Sequence, residues 1–170
     1  MQKTTYFLNV VLIGFLILSC SSSSSLKNGI DNTYSKELGY MPVDKVNNFL
    51  NQVLVQRQRF EISRNEQYSA SSGFYVETFW KERDAFESEK ELGYSKVQVQ
   101  LILTSKAERG KSATSSISSV VYVVDGKVTQ QGLNSSTNQY EDFTFTREGK
   151  DYVKDILNDL KDFISGSMLR

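Results

Sequence analysis

Apolar residues recur at helical spacing in two stretches of this chain, and between them they alternate with polar residues. Val43, Val46, Leu50, Val53 and Leu54 share one helical face, opposite Asn47, Asn48, Gln52, Gln56 and Arg57. The spacing predicts a helix from about Pro42 to Gln58. Pro42, the only proline, suits the first helical position, where a missing N–H is no loss. Phe60 and Ile62 fit a short strand beyond it. GFYVETFWKER, Gly73 to Arg83, is aromatic and β-branched and predicts a strand. DAFESEKELGY, Asp84 to Tyr94, is acidic and predicts a long turn or loop. Lys96 to Thr104 alternates strictly. Val97, Val99, Leu101 and Leu103 face one way, and Gln98, Gln100 and Ile102 the other, as in a half-buried strand.

Ala107 to Ser116 is a polar loop. The flanks of Asp125-Gly126 are strand-like, and Asp-Gly suits the positive φ angles of a type I′ turn, so a hairpin is expected there. Glu141 to Thr146 predicts a short strand or an extended approach to the last helix. Thr146 is placed to cap that helix, with Glu148 in its first turn, where negative charge is favoured. Tyr152, Val153, Ile156, Leu157, Leu160, Phe163 and Ile164 make one apolar face, and Gly166 marks its stop. Ile156 and Leu160 are expected to pack on the inward set Val97–Leu103, with Asp155 and Asp159 facing solvent. The expected class is α+β: an antiparallel sheet of three to five strands with two amphipathic helices packed on one face.

The chain begins differently. Residues 1–5 are polar with one charge, Lys3, and Tyr6 to Leu18 is apolar except for Asn9 and Gly14. That run has the length of a signal-peptide core and is too short to span a bilayer comfortably. It stops at Cys20, the only cysteine, and Ser21–Ser25 follow. Ile17-Leu18-Ser19-Cys20 resembles the lipobox of bacterial lipoproteins, in which the cysteine receives a diacylglycerol and the signal is cleaved before it. Leu18 is bulkier than usual just inside that site. The resemblance implies a covalent diacylglycerol and an N-acyl chain on Cys20, and no other cofactor is expected. One acyl chain anchors marginally, at about 0.8 kcal/mol per buried CH₂, whereas two or three hold a protein in place. The expected divisions are a signal over 1–19, a lipidated cysteine and serine-rich tether over 20–40, and a domain over 41–170. Such a tether has a random-coil reach of roughly 25 Å. In that family an Asp after the cysteine commonly retains the protein in the inner membrane. Ser21 stands there, which implies the outer membrane. No acidic run of the kind some surface-exported lipoproteins carry follows Cys20, so the domain is expected to face the periplasm, with the cell surface or the inner membrane as the alternative.

Composition narrows the chemistry. Lys+Arg and Asp+Glu are both 20. Lys3 is the only charged residue before Cys20, so the chain from Cys20 onward has 19 basic against 20 acidic residues, a net of −1. A general nucleic-acid binder needs a basic excess, so none is expected as partner. The chain has no histidine, which removes Ser-His-Asp and Cys-His catalysis and histidine metal sites. One cysteine allows no intrachain disulfide and no thiolate cluster.

Three groups of residues invite a role. Asp84, Glu87, Glu89 and Glu91 could serve acid–base work or bind calcium, but Lys81, Arg83 and Lys90 are interleaved and a solvated loop is expected. Tyr75, Phe79 and Trp80 straddle both faces of one strand. Either the strand is covered on both sides, or one side contacts a lipid, glycan or protein. Ser112–Ser119 and Asn134–Asn138 are hydroxyl- and amide-rich. A Lys111–Ser112 pair would need burial to activate, and the stretch reads as exposed. Gly110-Lys111 lacks P-loop spacing.

SKVQVQLILTSKAE, the hairpin after it and REGKDYVKDILNDLKDFI give an order of elements similar to the lipopolysaccharide-assembly lipoprotein family and to auxiliary lipoproteins of envelope transporters. No strand is expected before the first helix, a departure from the first of these. No functional residue carries over. The lipobox, the missing catalytic residue types and the two-layer pattern together lead to the expectation of a non-enzymatic outer-membrane lipoprotein, held to the membrane by its lipid. Its domain would bind an envelope protein, lipid or glycan as an assembly or transport accessory. A small envelope hydrolase using carboxylates is the alternative.

Overall fold

A computed structural model describes residues 29–67, 72–109 and 120–167. The expected signal, Cys20, the serine run and the Lys111–Ser119 stretch lie outside these residues. The described chain is a mostly antiparallel sheet with helices. Its strands are β1 (Thr33–Pro42), β2 (Ile62–Gln67), β3 (Phe74–Thr78), β4 (Lys81–Asp84), β5 (Tyr94–Arg109), β6 (Val120–Asn134) and β7 (Tyr140–Glu141). Their number, seven, exceeds the three to five expected. The main order is β1-β6-β5-β3-β2. β4 continues β3 along β5, and β7 continues β1 along β6, so seven strands fill five positions.

The helical elements are a first segment and two helices. The first segment runs on as a 3₁₀ turn (Val43–Lys45), an α-helical turn α1 (Val46–Phe49) and a π-helical stretch (Leu50–Arg57). α2 is Glu87–Lys90 and α3 is Arg147–Ser167. The first segment matches the expected helix except at its start. Pro42 ends β1 with an extended backbone (φ −61°, ψ 142°) rather than opening the helix. β1 is an edge strand, where a proline is tolerated.

The interior follows the alternation. Val97, Val99, Leu101 and Leu103 are fully buried, as are Val124 and Val128 on β6 and Val76 on β3. Val153, Ile156, Leu157, Leu160 and Ile164 of α3 join them, with Phe49, Leu50, Val53 and Leu54 of the first helical segment. Phe49 and Phe163 bring the segment and α3 together, ring centroids 5.9 Å apart. Thr146 caps α3 by accepting the Gly149 N–H at 3.1 Å. The helix runs through Gly166 to Ser167. Asp159 does not face solvent as expected: it pairs with Arg57 and accepts from Gln58 Nε2, tying α3 to the end of the first segment.

Two further expectations are overturned. A strand does precede the first helix. β1 begins at Thr33, inside the stretch read as tether, and pairs with β6. Its alternation is broken by a bulge between Glu37 and Gly39, where Gly39 takes φ +116° and Leu38 turns into the core. The second is the Asp125-Gly126 hairpin. β6 runs straight through both residues, and Asp125 is exposed. Gly126 lies beneath α3: a Cβ there would sit 2.8 Å from Leu157 Cδ2 and 3.1 Å from Leu38 Cδ1. The glycine serves close packing, not a turn. β5 and β6 pair in register to Arg109↔Val120, so their connection falls in residues 110–119, beyond the described ones.

Candidate functional site

Lys81 pairs with Val99 and Glu77 with Ile102, so three residues of the β3–β4 run stand against two of β5. The extra residue breaks the predicted single strand into β3 and β4. Thr78, fully buried, bridges the break: its Oγ1 accepts the Leu101 N–H at 3.0 Å, and its carbonyl accepts Gln100 Nε2 at 3.0 Å. The Phe79 N–H turns to Glu61 O at 2.8 Å. The two aromatic side chains are extruded: Phe79 is 56% exposed and Trp80 37%. They are the aromatic pair that sequence placed in doubt between covered and open, and they stand open. Tyr75 is not with them. It is half-buried, donates to Glu77 Oε2 at 3.0 Å and lies under the Arg64 guanidinium.

Phe79 and Trp80 share a notch of ≈ 240 Å³ with Arg59, Glu61 and Lys81. Arg59 arrives there because it ends the first helical segment. Gln58 N–H bonds Val53 O at 2.8 Å and Phe60 N–H bonds Leu54 O at 3.0 Å, and between them Arg59 takes φ 55°. Glycine is the usual residue at such a helix end, and another residue in that conformation costs roughly 1–2 kcal/mol. Lys81 Nζ donates to Gln58 O at 2.7 Å and lies 5.0 Å from the Phe60 ring centre. Burial, and then the charge of Arg59, push the Lys81 ammonium below the usual lysine range. Among the described residues neither cation has an ion-pair partner.

The acidic cluster is the solvated stretch expected at three of its carboxylates but not at the fourth. Glu89 in α2 is fully buried, and Arg83 of β4 holds both its oxygens, Nη1 to Oε2 at 2.7 Å and Nη2 to Oε1 at 2.6 Å. The Phe86 N–H adds a bond at 2.8 Å to Oε2. Phe86 and Tyr152 lie against the guanidinium, with centroids 4.1 and 4.9 Å from Cζ. Asp84, Glu87 and Glu91 point to water, and Glu87 pairs with Lys90 at 2.7 Å. The four carboxylates therefore do not converge. No group of three or more Asp, Glu or Cys among the described residues is placed to hold a metal ion.

Asn134–Asn138 is a turn between β6 and β7, closed by Asn134 Oδ1, which accepts the Ser136 and Thr137 N–H groups. On the sheet's polar face, Glu82 accepts from Lys96 Nζ at 2.5 Å and from the Tyr140 hydroxyl. The Lys96 bond, and then the Tyr140 bond, hold the Glu82 carboxyl below the usual range. Burial, and then Glu82, push the Tyr140 phenol up to about 12.

Sequence reasoning found Phe79 and Trp80 but missed Arg59 and Lys81 as their neighbours. The only signal for Arg59 was negative: the first helix ends with neither glycine nor proline beyond it, so an ordinary residue had to take the left-handed position. No helix among the described residues is long and apolar enough to cross a membrane. No family model, curated protein or solved structure matches the chain.

Proposed function

We propose that this chain is a bacterial lipoprotein, anchored by acyl chains on Cys20, whose α+β domain binds an envelope partner without catalysing a reaction. The anchor places it in the outer membrane, with the domain facing the periplasm. With helices on one face of the sheet, the other face and the outer side of β4, which pairs with β5 alone, are left for contact. The observation that carries the reading is the exposed Phe79–Trp80 pair at the break between β3 and β4, beside Arg59 and Lys81, which form no ion pair among the described residues. Large aromatics held open on a rigid sheet are suited to binding. The strand β1 before the first helical segment adds to the likeness in element order to lipopolysaccharide-assembly lipoproteins.

The alternative, a carboxylate hydrolase, loses its best candidates. Glu89 is locked by Arg83, and Asp84 and Glu87 stand apart in solvent. A photoreactive amino acid in place of Phe79, with one in place of Asp155 on the solvent side of α3 as control, tests the binding reading in intact envelopes. An adduct with a discrete envelope component, lipid included, is expected from position 79 and not from 155. No adduct from 79, or equal labelling from both, contradicts it.

A further inference from the structure

The occupant of the Arg59–Trp80 notch follows from its chemistry and from where the chain leaves the sheet. The notch sets two exposed aromatic rings beside two cations and one carboxylate, Glu61, which leaves it one net positive charge. Phe79 and Trp80 offer apolar surface, and Trp is the side chain best suited to the boundary between hydrocarbon and headgroups. Arg59 and Lys81 are close enough for the charge of one to disfavour that of the other, and the described residues supply neither with an ion pair. An anion between them relieves that repulsion. Arg59 also holds a backbone conformation that a glycine would take with less strain, so its side chain is kept there at a cost to the fold.

The position of the notch relative to Cys20 narrows the source of the anion. Lys81 pairs with Val99, Val99 pairs with Gln130, and the Gln130 N–H donates to Asn32 O. All four therefore lie in one row across the sheet. Three strand spacings separate Lys81 from Asn32, about 15 Å. Gly29 is the first described residue, and the nine residues from Cys20 to it cannot extend beyond roughly 30 Å. A lipid on Cys20 thus keeps the notch within roughly 55 Å of the bilayer even with the chain fully extended, at an effective concentration near the millimolar range.

We propose that Phe79 and Trp80, with Arg59 and Lys81, form a membrane-contact site that seats on the phospholipid surface holding Cys20, the rings entering the headgroup boundary and the cations binding lipid phosphates. The site orients the domain on its membrane, presenting the remaining faces to the periplasm. This inference rests on the lipoprotein reading, and it is tested independently of it.

Trp80 is the only tryptophan, so its emission reports on the site alone. The chain from Cys20 to Arg170 is coupled through Cys20, its only thiol, to maleimide lipids in vesicles of phosphatidylethanolamine and phosphatidylglycerol. This fixes the anchor whether or not cells acylate it. The expected result is a blue-shifted Trp80 emission that brominated lipids quench, weaker on phosphatidylcholine vesicles. Arg59→Gly, which suits the backbone there, and Lys81→Gln should each lower the inserted-to-free ratio about fivefold, and together roughly thirtyfold. Unfolding curves identify any variant that has lost its fold, and Arg59→Gly alone then decides. Emission unchanged from the uncoupled protein overturns the proposal. So does a shift that appears only on adding glycan strands, which would assign the notch to a saccharide. Quenching that Arg59→Gly leaves intact also overturns it. Missing acylation of Cys20 in cells would instead remove the lipoprotein reading and leave the vesicle result standing.

Discussion

Arg83 and Glu89 meet where water barely reaches, with side-chain exposures of 12% and 0%. A buried carboxylate is tolerated because the guanidinium and a backbone N–H take up its lone pairs. Removing the cation leaves that charge without its partner, so Arg83→Ala should cost about 3–5 kcal/mol in denaturant unfolding. Lys90→Ala, which breaks only the exposed, water-screened pair with Glu87, should leave the unfolding curve essentially unchanged. Equal effects would mean that the buried pair is not the element holding α2 to β4. Tyr140 offers a test by pH. Its phenol is raised to about 12 in the folded protein, above the ordinary 10. The folded state therefore keeps a proton that the unfolded chain releases. The contribution of this group to stability is complete below pH 10 and is lost as the pH rises through about 12. Ultraviolet titration of the tyrosines should show a late phenol near pH 12 that is lost in Tyr140→Phe. A titration curve unchanged by that substitution contradicts the assignment.

At the scale of elements, α3 covers the sheet with one continuous apolar face. Ile156 and Leu160 are buried in the same core as Val97–Leu103. Truncating either to Ala should cost about 2–5 kcal/mol. Asp155→Ala, on the exposed side, should change stability by about 0.5 kcal/mol or less. Asp159→Ala should cost more than that, up to about 1 kcal/mol, because it ties α3 to Arg57 and Gln58. If Ile156→Ala and Leu160→Ala unfold like the parent, the face of α3 is not core. Both this helix and β5 were legible in the sequence because burial on one side writes a period into the residues. β1 was not, since its bulge shifts the period at Leu38 and a glycine interrupts the run. Asp125-Gly126 misled for a related reason. A glycine that admits a neighbouring helix and a glycine that makes a turn look alike until the helix is in place. The candidate site was half legible. The exposed aromatics could be named, but Arg59 and Lys81 joined them only through the break at Thr78 and the end of the first helical segment.

For the whole molecule, the account joins two parts that speak to each other. The described residues form one sheet with a shared core, carrying an aromatic and cationic notch on one edge. The residues before them contain one cysteine, set at the end of an apolar run. If that cysteine carries lipid, the proposed contact between the notch and a phospholipid surface has its anchor on the same chain. Everything proposed about address and partner depends on this single thiol. The most direct test is metabolic labelling of the source cells with a clickable fatty acid, for the full-length parent and for Cys20→Ala. The account predicts a labelled, membrane-associated parent and an unlabelled variant that is either released from the membrane or held as an unprocessed precursor. Label retained by Cys20→Ala, or a parent that takes up none, contradicts it.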